Sequence, residues 1–117
     1  MTAFKGQGFF RRLACAVQGL AHALRQERSL QTQAVAAGAV LVALVVERPP
    51  ALWWAIALLA IGGVIAAELL NSAIEALADH LHPQHHPAIR IVKDVAAAAV
   101  TIASVVAAGV AIAFLLR

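Results

Sequence analysis

The sequence predicts an all-α integral membrane protein: an N-terminal amphipathic helix lying in the membrane interface, followed by three transmembrane helices. Two observations carry this. The 117 residues are 62% hydrophobic and only 13% charged, against roughly 25% charged residues in a soluble domain. The apolar residues also fall into three long runs separated by short polar breaks, the pattern of a polytopic membrane protein. The chain is long enough for one domain, spanning 1–117. Its single cysteine, Cys15, excludes an intramolecular disulfide and reads as a small apolar filler. The net charge of +3 would suggest nucleic acid in a soluble protein. Here the basic residues flank apolar segments and are not interleaved with aromatics, so membrane orientation accounts for them and a nucleic-acid partner is excluded.

Residues 1–8 ("MTAFKGQG") read as a frayed terminus. The stretch that follows is basic and amphipathic, unlike the short apolar core of a secretory signal. Over 9–28, Phe10, Leu13, Val17, Leu20 and Leu24 recur at spacings of three and four, while Arg11, Gln18, His22 and Arg25 fall largely on other faces. This is the expected surface helix.

The first span is expected over 29–47. Its uninterrupted apolar part, Ala34–Val46, is too short to cross about 30 Å of hydrocarbon at about 1.5 Å per residue, so Gln31, Thr32 and Gln33 belong at its border. "ERPP" (Glu47–Pro50) then breaks the helix, since proline lacks the backbone donor and disfavours helix in the residue before it. The second span, 51–78, opens with the interfacial pair Trp53 and Trp54. A polar loop, "DHLHPQHHP" (Asp79–Pro87), separates it from the third span, 94–116. Of the nine basic residues, Lys5, Arg11, Arg12, Arg25, Arg28, Arg90 and Lys93 lie on one side and only Arg48 and Arg117 on the other. The positive-inside rule therefore puts the N-terminus and the His-rich loop in the cytoplasm.

Polar residues at the end of the second span are the candidates for chemistry. At 100° per residue Glu68, Asn71, Glu75 and Asp79 share one helix face, and Glu68 stands about 10 Å from Glu75 along the axis. An ionisable group with apolar sequence on both sides, as at Glu68, usually marks function. An early end to the span would leave Glu75 and Asp79 merely solvated. Asp94 reads equally as an N-cap and Lys93 as a snorkelling anchor. Topology nevertheless gathers Glu27, Glu75, Asp79, Lys93 and Asp94 at one membrane face, with Glu68 slightly deeper. Carboxylates can hold a hard divalent cation alongside substrate phosphates, and a lysine can meet the phosphates. The residues alone point to phosphoryl chemistry at a membrane surface. They also admit a non-catalytic oligomeric membrane protein, a transporter or channel subunit passing ions along the acids.

At these positions the sequence resembles the prokaryotic diacylglycerol kinases, small three-span enzymes that include the undecaprenol kinases. "ELLNSAIE" supplies Glu68, Asn71, Ser72, Ala73, Ile74 and Glu75; "HPAIRIVKD" supplies His86, Pro87, Lys93 and Asp94; "GLAHALRQE" supplies Gly19, Leu20 and Glu27. The resemblance runs from about Phe9 to Leu116. It implies a homotrimer in the bacterial inner membrane, with active sites shared between subunits at the cytoplasmic face. It implies transfer of the ATP γ-phosphate to diacylglycerol, giving phosphatidic acid, or alternatively to undecaprenol. Glu68 would be the general base on the acceptor hydroxyl, and Asn71 would orient the base and the reacting groups. Glu27 and Glu75 would hold Mg2+ on the ATP phosphates. Lys93 would contact phosphate, Asp94 the nucleotide, and His85 and His86 the adenine. His80 and His82 have no such match and read as a solvated loop, and Asp79 as solvated too. The residues after Glu27, "RSLQTQ", depart from the better-known diacylglycerol kinases.

Overall fold

The computed structural model describes residues 8–117 as four α-helices and no strand. The frayed terminus expected over 1–8 lies, apart from Gly8, outside the described residues, as does Lys5. The helices are α1 (Phe9–Gln26), α2 (Arg28–Glu47), α3 (Ala51–Leu81) and α4 (Pro87–Leu116). The last three are each long and apolar enough to cross a membrane.

α1 is strongly amphipathic and buries no residue, and its Phe9, Phe10, Leu13 and Val17 stay exposed. An apolar face without protein to cover it is what a helix lying in a bilayer interface presents. The surface helix expected over 9–28 is shorter than that, because Glu27 leaves the helical region at φ −107° and ψ 113°. Its backbone N–H still closes α1 on the Ala23 carbonyl (2.8 Å), while its carbonyl accepts from Gln31 N–H (3.1 Å) to start α2. Glu27 is thus the joint between the two helices. The Gln31 side chain braces it, donating to the Leu24 carbonyl at 2.7 Å, and Leu30, 1% exposed, anchors the new helix in the core.

At the far end of α2, Arg48 adopts the left-handed region (φ 50°) and its N–H bonds the Leu44 carbonyl, just before the two prolines. Three elements meet here. Trp53 of α3 packs edge-on to Phe114 of α4 at 5.3 Å, and Arg117 lies over the Phe114 ring while pairing with Glu47 of α2 at 3.5 Å. These helix ends are therefore level.

α3 and α4 form the most extensive contact, an antiparallel hairpin. Both exceed the expected spans at the opposite end. α3 continues to Leu81 instead of 78, and α4 begins at Pro87 instead of 94. The reason for the early start is local. Proline suits the first helical position because its φ is already helical and its missing N–H is not needed there. The preceding His86 caps the helix, its Nδ1 accepting from the Ala88 N–H at 3.1 Å. Asp94 consequently lies inside the helix and is not its N-cap.

At 1.5 Å per residue α2 is about 30 Å long, and α3 and α4 about 45 Å. A hydrocarbon core of about 30 Å therefore covers α2 fully and leaves some 15 Å of the α3–α4 hairpin beyond it. Since the Glu47–Arg117 end is level, the excess lies at the loop end, beyond roughly Asn71. The core is small, comprising Leu30, Leu44, Ala57, Val64, Ala78 and Ala96, with most large apolar side chains facing outward.

Candidate active site

Glu68 is 6% exposed, the one charged or polar residue buried among those described. It lies about a turn inside the apolar border inferred above. The Gln33 side chain, in the second turn of α2, is its polar neighbour from that helix, and the charges of Glu75 and Glu27 both act on it. The fold thus brings together one residue from the α1–α2 joint, one from α2 and a stripe from α3. Glu27 can contribute because the chain breaks there. Its side chain makes no capping bond to the helix it begins, so its carboxylate is not spent on backbone.

Asn71 donates from Nδ2 to Glu75 Oε1 at 2.8 Å, a contact one turn along the helix. Its amide therefore fixes Glu75, and Gln33 is the amide beside Glu68. Asn71 Oδ1 is buried without a hydrogen-bond partner. An orphaned buried oxygen costs about 1–3 kcal/mol unless something satisfies it. It lies beside a group of carboxylates whose like charges repel. All are hard oxygen donors, the chemistry that Mg2+ selects. Among the described residues no three His, Cys, Asp or Glu side chains form a ready cage.

A second polar centre lies across the hairpin. A cavity of about 430 Å3 is lined by Asp79, His82, His85, His86, Lys93 and Asp94, among others. Lys93 Nζ donates to Asp79 Oδ1, which corrects the expectation that Asp79 is simply solvated. Asp94 stands 4.0 Å from Arg90 one turn earlier on α4. The His82 and His86 rings are 5.8 Å apart. His86 already uses Nδ1 as a helix cap, leaving Nε2 as its outward-facing nitrogen.

The expected residues therefore fall into two groups. Glu27, Glu68, Asn71 and Glu75 form an acidic cluster at the membrane border. His85, His86, Lys93 and Asp94 line the cavity beyond it, to which that cluster does not contribute. Only one helical turn separates Glu75 from Asp79. A smaller cavity, about 240 Å3, opens between α1 and α3 beside Glu27, lined by Gly19, His22, Leu69, Ser72 and Ala73. Sequence reasoning gives Gln31 and Gln33 no role in the site, and places Asp79 on the acidic stripe without a partner. The available signal was a pair of amides at the mouth of an apolar span, where a polar side chain needs a partner.

Two comparisons bear on this arrangement. A profile of the family described as prokaryotic diacylglycerol kinase matches residues 14–115, which include every residue of both groups. The undecaprenol kinase of Bacillus subtilis (strain 168) is 39% identical over 98 residues, covering 84% of this chain and 80% of that protein.

Proposed function

The chain belongs to the prokaryotic diacylglycerol kinase family, and from that premise we propose that it phosphorylates a polyprenol, of the undecaprenol class, using Mg2+-ATP. A lipid-kinase activity follows from the family. The observation that carries the acceptor is the 39% identity to an undecaprenol kinase across most of both chains. It replaces diacylglycerol, the acceptor favoured on sequence motifs alone, as the leading reading.

In this reading the acceptor alcohol reaches Glu68 from the bilayer, past α1 and the cavity beside Glu27. Glu68 takes the hydroxyl proton as the oxygen forms its bond to the γ-phosphorus, while the bond to the β,γ-bridging oxygen breaks and ADP leaves. Gln33 holds Glu68 in place for that transfer. Lys93, with Asp94, His85 and His86 around it, binds the donor nucleotide. Glu27 and Glu75, aided by the orphaned Asn71 oxygen, would hold the Mg2+, which neutralises phosphate charge when bound. Phosphoryl transfer asks a protein mainly for such positioning and charge neutralisation. Burial of Glu68 at the membrane border supports its assignment, because a general base must lie at the depth of the hydroxyl it serves.

We place the N-terminus, the His-rich loop and the site on the cytoplasmic face of the inner membrane, on the strength of the charge asymmetry. The homotrimer rests on the family resemblance.

The test supplies undecaprenol and a diacylglycerol together in mixed micelles with γ-labelled ATP. Label is expected chiefly in polyprenyl phosphate. Label chiefly in phosphatidic acid would restore diacylglycerol as the acceptor, and no lipid label with either would favour a non-catalytic transport protein.

A further inference from the structure

Asp79 belongs to none of the roles above, yet it makes the only side-chain ion pair between α3 and α4 among the described residues. We propose that Asp79 is a positioning residue for the phosphoryl donor, holding the Lys93 ammonium where the ATP phosphates bind. The inference rests on the reading of Lys93 as a phosphate ligand and adds to it the group that sets its place.

The geometry carries the argument. Asp79 and Lys93 are separated by 14 residues and the whole turn of the hairpin, so the pair is not an incidental contact within one helix. Both line the cavity of about 430 Å3 together with His85, His86 and Asp94, the residues given to the nucleotide. The other cation there, Arg90, faces Asp94 within its own helix at 4.0 Å. Lys93 alone reaches across to the acidic face of α3, one turn from Glu75.

The energetics favour function over support of the fold. The side chains are 36% (Lys93) and 63% (Asp79) exposed, and exposed ion pairs typically contribute about 0–1 kcal/mol to stability. Fixing a lysine, by contrast, costs up to about 2 kcal/mol of rotamer freedom. If Asp79 fixes the side chain beforehand, the nucleotide does not meet that cost on binding. An ammonium carries three donors. One serves Asp79, and two remain for phosphate oxygens. The same tie draws the positive charge toward Glu75, the proposed metal ligand, so that lysine and cation face neighbouring phosphates.

Steady-state kinetics of the full chain in undecaprenol mixed micelles test this, with Asp79→Asn, Asp79→Glu, Lys93→Ala and the Asp79→Asn/Lys93→Ala double variant. Asp79→Asn is expected to raise the ATP KM about tenfold and to leave the lipid KM and the thermal midpoint unchanged. Asp79→Glu should recover most of the loss. The double variant should be no worse than Lys93→Ala alone, because one removed interaction cannot be lost twice. An unchanged ATP KM in Asp79→Asn, with or without a lowered thermal midpoint, would overturn the proposal, as would multiplying effects in the double variant. An active wild type whose ATP KM is insensitive to Lys93→Ala would instead overturn the assignment of Lys93 itself.

Discussion

Glu68 and Gln33 are brought side by side from two helices. Glu68 is buried with an amide of another helix beside it, so its surroundings depend on two elements at once. Glu68→Gln preserves shape but removes the carboxylate proposed as the base. Turnover is expected to fall by about 10²–10⁴-fold, the usual contribution of a positioned general base, with ATP binding and oligomeric state retained. Nucleotide-binding titration and single-turnover assays would check this, and retained turnover would remove Glu68 from the role. Gln33→Leu should weaken kcat and leave the ATP KM unchanged, since the amide touches the base and not the donor cavity. At this scale the stripe of Glu68, Asn71, Glu75 and Asp79 was legible from helical spacing alone. Its partners were not. Nothing local in "RSLQTQ" says that Gln33 turns to Glu68 while Gln31 turns back to Leu24.

At the scale of elements, the break between α1 and α2 is the least legible feature. No Gly or Pro marks Glu27, and a helix-period pattern runs through it. The break is held by the Gln31 side chain on the Leu24 carbonyl and by burial of Leu30, both consequences of how the two helices dock on α3. Leu30→Ala should destabilise the protein by about 2–5 kcal/mol, the range for an emptied core leucine, read from unfolding in detergent. Gln31→Ala should cost about 1 kcal/mol, one net hydrogen bond. It should also lower the affinity for Mg2+-ATP, because Glu27 loses its fixed place. The start of α4 is the opposite case. His86–Pro87 is a readable helix start, a polar cap followed by proline at the first position. Hydropathy alone misses it, because Arg90, Lys93 and Asp94 make the first two turns of α4 too polar to count toward an apolar span.

At the scale of the molecule, the α3–α4 hairpin outruns the membrane at one end and is level with α2 at the other. The excess lifts Asp79, Lys93 and the histidines out of the apolar layer while Glu68 stays within it. A water-soluble nucleotide and a membrane-bound alcohol can therefore meet along one helix face. If active sites are shared in a homotrimer, mixing two inactive variants is expected to restore turnover. Glu68→Gln and Lys93→Ala subunits, which carry their defects in different polar centres, should regain on co-assembly after separate purification activity that neither shows alone. Persistent inactivity of well-mixed trimers would confine each site to one subunit.

Composition and periodicity by themselves determined that the chain has three helices long and apolar enough to span a membrane, preceded by an amphipathic helix, at which end of them the positive charge gathers, and which face of α3 carries its acids. These are properties of single segments, fixed by the thickness of a bilayer and the pitch of a helix. Only the tertiary structure decided that Gln33 lies beside Glu68, that Asn71 holds Glu75, that the chain breaks at Glu27 and that Asp79 binds Lys93. Most of these depend on how helices rotate and dock against one another, and the Asn71–Glu75 contact on which rotamer its surroundings leave open. No local pattern encodes either.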